Sequence, residues 1–92
     1  RFPIAVRDVA MIVAEHVTSA QIRTIIEAHP MVTKAEVFDV YTGKNLPPNK
    51  RSLAYRISFQ STEGTLSTHQ VNQAQHEILK TLEQETSATL RD

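Results

Sequence analysis

Phe38-Asp39-Val40-Tyr41 and, ten residues further on, Ser52-Leu53-Ala54-Tyr55-Arg56-Ile57-Ser58-Phe59 decide how this chain folds. Side chains alternate faces along a strand, so Phe38 and Val40 are expected on one face and Asp39 and Tyr41 on the other. In the second stretch Leu53, Tyr55, Ile57 and Phe59 make the apolar face, with Ser52, Ala54, Arg56 and Ser58 opposite. If helices cover the apolar faces, Asp39, Tyr41, Ser52 and Arg56 stand together on an open sheet. An aromatic ring beside a carboxylate and a hydroxyl suits an unpaired nucleic-acid base. Tyr55 and Phe59 have core parity.

Upstream, Arg7-Asp8-Val9-Ala10-Met11-Ile12-Val13-Ala14-Glu15 reads as a first strand. Apolar residues occur in both of its alternation sets, as expected in the middle of a sheet. Thr18 with Gln21 forms a capping-box pattern, and Ile22, Ile25 and Ile26 then recur at helical spacing up to Pro30. A strand over about 34–42 is followed by a loop marked by Gly43, Pro47 and Pro48, and then by a strand over about 51–60. Ser67 with Gln70 repeats the capping pattern, and Val71, Ala74, Ile78, Leu79 and Leu82 follow the helical period. Ala88-Thr89-Leu90-Arg91 reads as a last edge strand. The order β-α-β-β-α-β predicts an α+β, ferredoxin-like sandwich: a four-stranded antiparallel sheet, two helices on one face and the other face open.

The 92 residues suit one domain spanning 1–92. The first residue is Arg1 rather than methionine, so the expectation is a domain cut from a longer chain. No apolar run approaches the roughly 20 residues of a membrane span. Cysteine is absent, which excludes disulfides, thiolate nucleophiles and thiolate metal sites. Ten basic residues balance ten acidic ones, so charge alone would not hold a nucleic acid.

The four histidines form no metal pattern: His69 and His76 are two helical turns apart, whereas chelation from one helix prefers a spacing of four. Asp8 and Glu15 fall on opposite strand faces and cannot act as an acid/base pair. An acylphosphatase-like hydrolase would need a cradle of backbone N–H groups after the first strand, but Ala14-Glu15-His16-Val17-Thr18 has no glycine and carries an acid. A small-molecule regulatory or oligomerising module would call for a more apolar open face than Asp39, Ser52, Arg56 and Ser58 supply.

Phe38-Asp39-Val40-Tyr41-x-Gly43, Ser52-Leu53-Ala54-Tyr55-Arg56, Thr65-Leu66, Val71-Asn72 and Leu90-Arg91 together resemble the ferredoxin-fold anticodon-binding domain at the C-terminal end of the bacterial phenylalanyl-tRNA synthetase beta chain. The resemblance runs from Arg7 to Arg91. It implies that the open sheet receives the anticodon stem-loop of phenylalanine tRNA, whose first anticodon base is guanine. Carried over by motif, the base-reading residues are Asp39, Tyr41, Ser52 and Arg91. Lys44, Lys50, Arg51 and Arg56 are expected to meet phosphates. The resemblance further implies a cytoplasmic synthetase in which this domain performs no catalysis, holds no metal or cofactor, and meets neither membrane nor DNA. ATP and magnesium would be used elsewhere in a beta chain paired with an alpha chain. Three departures bear on the phosphate contacts and on the placement of Arg91. Gly64 stands where the family commonly has arginine, His69 and Gln70 replace acidic residues, and Thr86-Ser87 replaces a Phe-Gly pair.

Overall fold

A computed structural model describes residues 2–91. Its elements are β1 (Ala5–Ala14), α1 (Ser19–Glu27), β2 (Val32–Tyr41), β3 (Lys50–Phe59), α2 (Thr68–Thr86) and β4 (Thr89–Leu90). The strands form one antiparallel sheet in the order β2-β3-β1-β4. This is the ferredoxin-like α+β arrangement predicted from the element order, with β1 an inner strand.

Both helices begin where the capping boxes place them. Thr18 Oγ1 accepts from the Gln21 N–H at 3.1 Å, and Gln21 Oε1 accepts from the Thr18 N–H at 2.8 Å. Ser67 and Gln70 repeat the exchange at the start of α2 with the same two lengths. Each box satisfies two backbone donors that a helix start otherwise leaves without partners. Ile22 and Ile26 of α1 and Val71, Ala74, Ile78 and Leu82 of α2 are the buried helical residues, and their spacing of three and four keeps them on one stripe.

That stripe packs against Val9, Met11 and Val13 of β1 and Leu53, Tyr55, Ile57 and Phe59 of β3. All four β3 residues are fully buried, and each such side chain stabilises the fold by about 1.5–3 kcal/mol. Tyr55 and Phe59 are core residues, as their parity implied. The Tyr55 hydroxyl donates to the Ser19 carbonyl at 2.8 Å, which supplies the partner a buried phenol needs, and burial pushes its pKa up. The core thus lies entirely on the helical side, leaving the opposite sheet face to other uses.

Two terminations matter for that face. α2 ends at Ser87, whose φ of 60° puts it in the left-handed region before the chain enters β4. The loop over residues 42–49 ends at Asn49, also left-handed at φ 62°, a conformation asparagine tolerates better than most residues. The Asn49 carbonyl accepts from the Glu15 N–H at 3.1 Å, tying this loop to the end of β1.

Candidate functional site

The register across β3 sets the open face. Asp8 faces Arg56, Ala10 faces Ala54, Ile12 faces Ser52 and Ala14 faces Lys50 across the β1–β3 pair. Across the β2–β3 pair Glu36 faces Arg56, Asp39 faces Ala54 and Tyr41 faces Ser52. Asp39, Tyr41, Ser52 and Arg56 therefore share the face turned away from the helices, as alternation predicts.

Phe38 does not follow that alternation. The register of β2 slips between Val37 and Asp39, so Val37 faces Tyr55 on the core side and Asp39 faces Ala54 on the open side with one extra residue between them. A bulge of this kind lets two successive residues lean to the same side. The Phe38 ring accordingly lies 4.7 Å from the Arg56 guanidinium, on the open face rather than with Val40. The sequence carried a signal of this: the core-side residues run Ala35, Val37 and then Val40, so the apolar step lengthens from two to three.

Ala10 and Ile12 of β1 and Ser52 and Ala54 of β3 form the middle of the face. Arg91 follows β4, with its backbone N–H donating to the Ala10 carbonyl at 2.9 Å. Tyr41 stands on β2 at the opposite border of the sheet. Their side chains nevertheless meet, the guanidinium lying 5.1 Å from the Tyr41 ring centroid, so the two together span the inner strands β3 and β1. Ser52 is consequently on the expected face yet only 3% exposed. Gly43 is built into the same arrangement, because a Cβ there would fall on the Tyr41 hydroxyl and ring.

The charged residues divide into committed and available ones. Arg56 Nε and Nη2 each donate to a different Asp8 oxygen at 2.9 Å, a bidentate pair that holds the Asp8 carboxyl below its ordinary pKa and the guanidinium above its own. Arg56 is thus already matched by a carboxylate, while its side chain stays about half exposed. Arg51 lies on the helical side opposite Val13, and its Nη2 donates to the Val17 carbonyl at 2.6 Å. Lys44 is exposed in the loop, and Lys50 begins β3 on the open side. The ion pairs among the described residues are Lys34–Glu36 and Asp8–Arg56, with a 2.8 Å His29–Glu77 hydrogen bond beside them, which leaves the Asp39 carboxylate uncommitted.

Among the described residues no three His, Cys, Asp or Glu side chains converge as metal ligands, and no helix is long and apolar enough to cross a membrane. A cavity of about 410 Å³ lies elsewhere, between the second half of α2 and β4, lined by Met11, Leu79, Leu82 and Leu90.

Comparison with known proteins gives a consistent picture. The family model described as "Ferredoxin-fold anticodon binding domain" matches residues 1–91. A phenylalanine–tRNA ligase beta subunit of Dehalococcoides mccartyi (strain CBDB1) is 42% identical over 91 residues, covering 99% of this chain. Proteins of the same name from Carboxydothermus hydrogenoformans and Halalkalibacterium halodurans are 39% and 38% identical, over 98% and 99% of the chain. The chain spans 11% of the length of the first of these relatives and 12% of the other two.

Proposed function

The chain belongs to the ferredoxin-fold anticodon-binding domain family, and from that premise we propose that it is the anticodon reader of a phenylalanine–tRNA ligase beta subunit. The ligand is the anticodon stem-loop of phenylalanine tRNA, and the base read is the guanine at its first anticodon position. The observation that carries this reading is that Asp39, Tyr41 and Ser52 share the one sheet face that the helices leave open, and that Arg91 reaches the Tyr41 ring across it.

Each side chain has a chemical part. Guanine presents two donors on its Watson–Crick edge, and an ionised carboxylate offers two acceptor oxygens and no proton, so Asp39 favours guanine. Adenine has an acceptor at the ring nitrogen of that edge and is repelled. Tyr41 supplies the stacking face, worth on the order of 1–3 kcal/mol. Arg91 covers that ring in the absence of RNA, so the incoming base takes its place. The displaced guanidinium then meets a base oxygen or a phosphate, and the Ser52 hydroxyl beneath becomes reachable. Lys44 and Lys50 make phosphate contacts that are blind to sequence.

Catalysis belongs to other parts of the ligase. ATP and magnesium act at a distant site, the beta chain works with an alpha chain, and the whole acts in the cytoplasm. This division of labour accounts for a net charge of zero in a domain that meets RNA: it reads while the remainder holds.

The test is an NMR titration at low salt with a phenylalanine anticodon stem-loop, beside one in which the first anticodon base is adenine. Shifts centred on Asp39, Tyr41 and Ser52 that favour guanine are expected, with the preference lost in Asp39→Asn. Shifts elsewhere, or equal binding of both stem-loops, would overturn the assignment of this face.

A further inference from the structure

We propose that Phe38, set on the open face by the β2 bulge and backed by the Arg56–Asp8 pair, is a second stacking platform that takes the nucleotide next to the one on Tyr41. The inference rests on the anticodon-reading function proposed above.

Phe38 is a large apolar residue at 49% exposure, yet it is not stranded by the fold. The slip between Val37 and Asp39 makes Phe38 the extra residue of β2: Val37 before it faces Tyr55 and Asp39 after it faces Ala54, so Phe38 and Asp39 both lean to the open side. Its position is also held. Arg56 lies 4.7 Å from the ring centroid, and the guanidinium cannot swing away without giving up two 2.9 Å bonds to Asp8. One part of the ring rests on the guanidinium and the rest faces solvent. Three strands contribute to this assembly, with Asp8 from β1, Arg56 from β3 and Phe38 from β2, so it is stiffer than a lone exposed ring.

The spacing fits the purpose. Phe38 and Tyr41 are three residues apart on one strand, a rise of about 10 Å less the contraction of the bulge. Four-stranded sheets that bind single-stranded RNA use two such raised aromatics to stack two or three successive bases. Because Asp8 neutralises Arg56, the platform offers a planar apolar face with no spare charge for phosphate. The expected contribution is therefore tolerant of base identity and independent of salt.

The experiment uses two anticodon stem-loops that keep guanine at the first anticodon position and carry 2-aminopurine at the nucleotide on one side of it or the other. Fluorescence is followed on titration with the wild-type chain, Phe38→Leu and Phe38→Tyr, with Tyr41 ring resonances monitored in parallel. Phe38→Leu keeps an apolar side chain but lacks a ring. Its spectrum establishes that the fold is retained, and Phe38→Tyr keeps the ring should leucine disturb the bulge. The proposal expects quenching in one of the two stem-loops, loss of that quenching in Phe38→Leu, retention in Phe38→Tyr, and affinity weaker by about tenfold in Phe38→Leu at an unchanged salt slope. Undiminished quenching and affinity in Phe38→Leu, with Tyr41 still shifting, would overturn the second platform and leave the first intact. Absence of any response at Tyr41 in the wild-type chain would overturn both.

Discussion

The Arg91 guanidinium lies 5.1 Å from the centroid of the Tyr41 ring and so joins the two borders of the sheet across its open face. An exposed cation–π contact is worth about 0.5–1 kcal/mol, enough to populate the covered state and weak enough for a stacking base to replace it. In Arg91→Ala the Tyr41 ring resonances of the RNA-free chain are expected to move, while thermal stability changes little. Unmoved Tyr41 resonances would mean that the contact is not maintained in solution.

Gly43 acts on the same ring through space rather than torsion, since its φ is not positive. Gly43→Ala forces Tyr41 aside, and an exposed loop absorbs that movement at small cost to the fold. The expected outcome is a stability within about 0.5 kcal/mol of wild type, together with weaker stem-loop binding. Binding at wild-type strength would show that the position of the Tyr41 ring does not matter to recognition.

Ser87 holds the left-handed turn between α2 and β4, where the resembling family commonly has glycine. A non-glycine residue in that conformation costs roughly 1–2 kcal/mol relative to the right-handed form, and glycine escapes the penalty. Ser87→Gly is expected to raise stability by about 0.5–1 kcal/mol in a denaturant melt and to leave the Arg91–Tyr41 contact in place. A destabilised variant would contradict this account of the turn.

The Asp8–Arg56 pair gives stability a pH dependence of defined sign. Its hydrogen bond to Arg56 holds the Asp8 carboxyl below its ordinary value of 3.8, so the unfolded chain binds that proton more readily than the folded one. The contribution is complete above the unfolded value and is lost as pH falls through the lower, folded one. Comparing acid unfolding of the wild type with Asp8→Asn should show a stability difference at pH 6 that closes as the pH drops below about 4. Because both side chains are about half exposed, high salt should shrink the difference too. A gap of equal size at pH 6 and pH 2 would rule the ion pair out as its source.

Much of the architecture was legible because it rests on local rules. Thr18 with Gln21 and Ser67 with Gln70 are short-range capping patterns, and both boxes formed where they were expected. The unbroken alternation of Leu53, Tyr55, Ile57 and Phe59 described β3 faithfully, since an inner strand has no freedom to slip without exposing its whole apolar face. In β2, by contrast, strict alternation put Phe38 with Val40, and the bulge put it with Arg56. An edge strand pairs on one side only, so an extra residue disturbs one ladder rather than two.

Arg51 and Arg56 mark the same boundary for the candidate site. In the sequence they are neighbouring basic residues of one strand segment; in the fold one is tied to the Val17 carbonyl on the helical side and the other to Asp8 on the open side. Their partners lie 34 and 48 residues away, so no local pattern could name them. The sequence by itself determined the element order, the core face and the presence of Asp39, Tyr41 and Ser52 on one surface, because periodicity and capping act over a few residues. Only the tertiary structure decided that Ser52 is covered, that Arg91 reaches Tyr41, and that Phe38 joins the open face, because each of these depends on register and reach between strands distant in the chain.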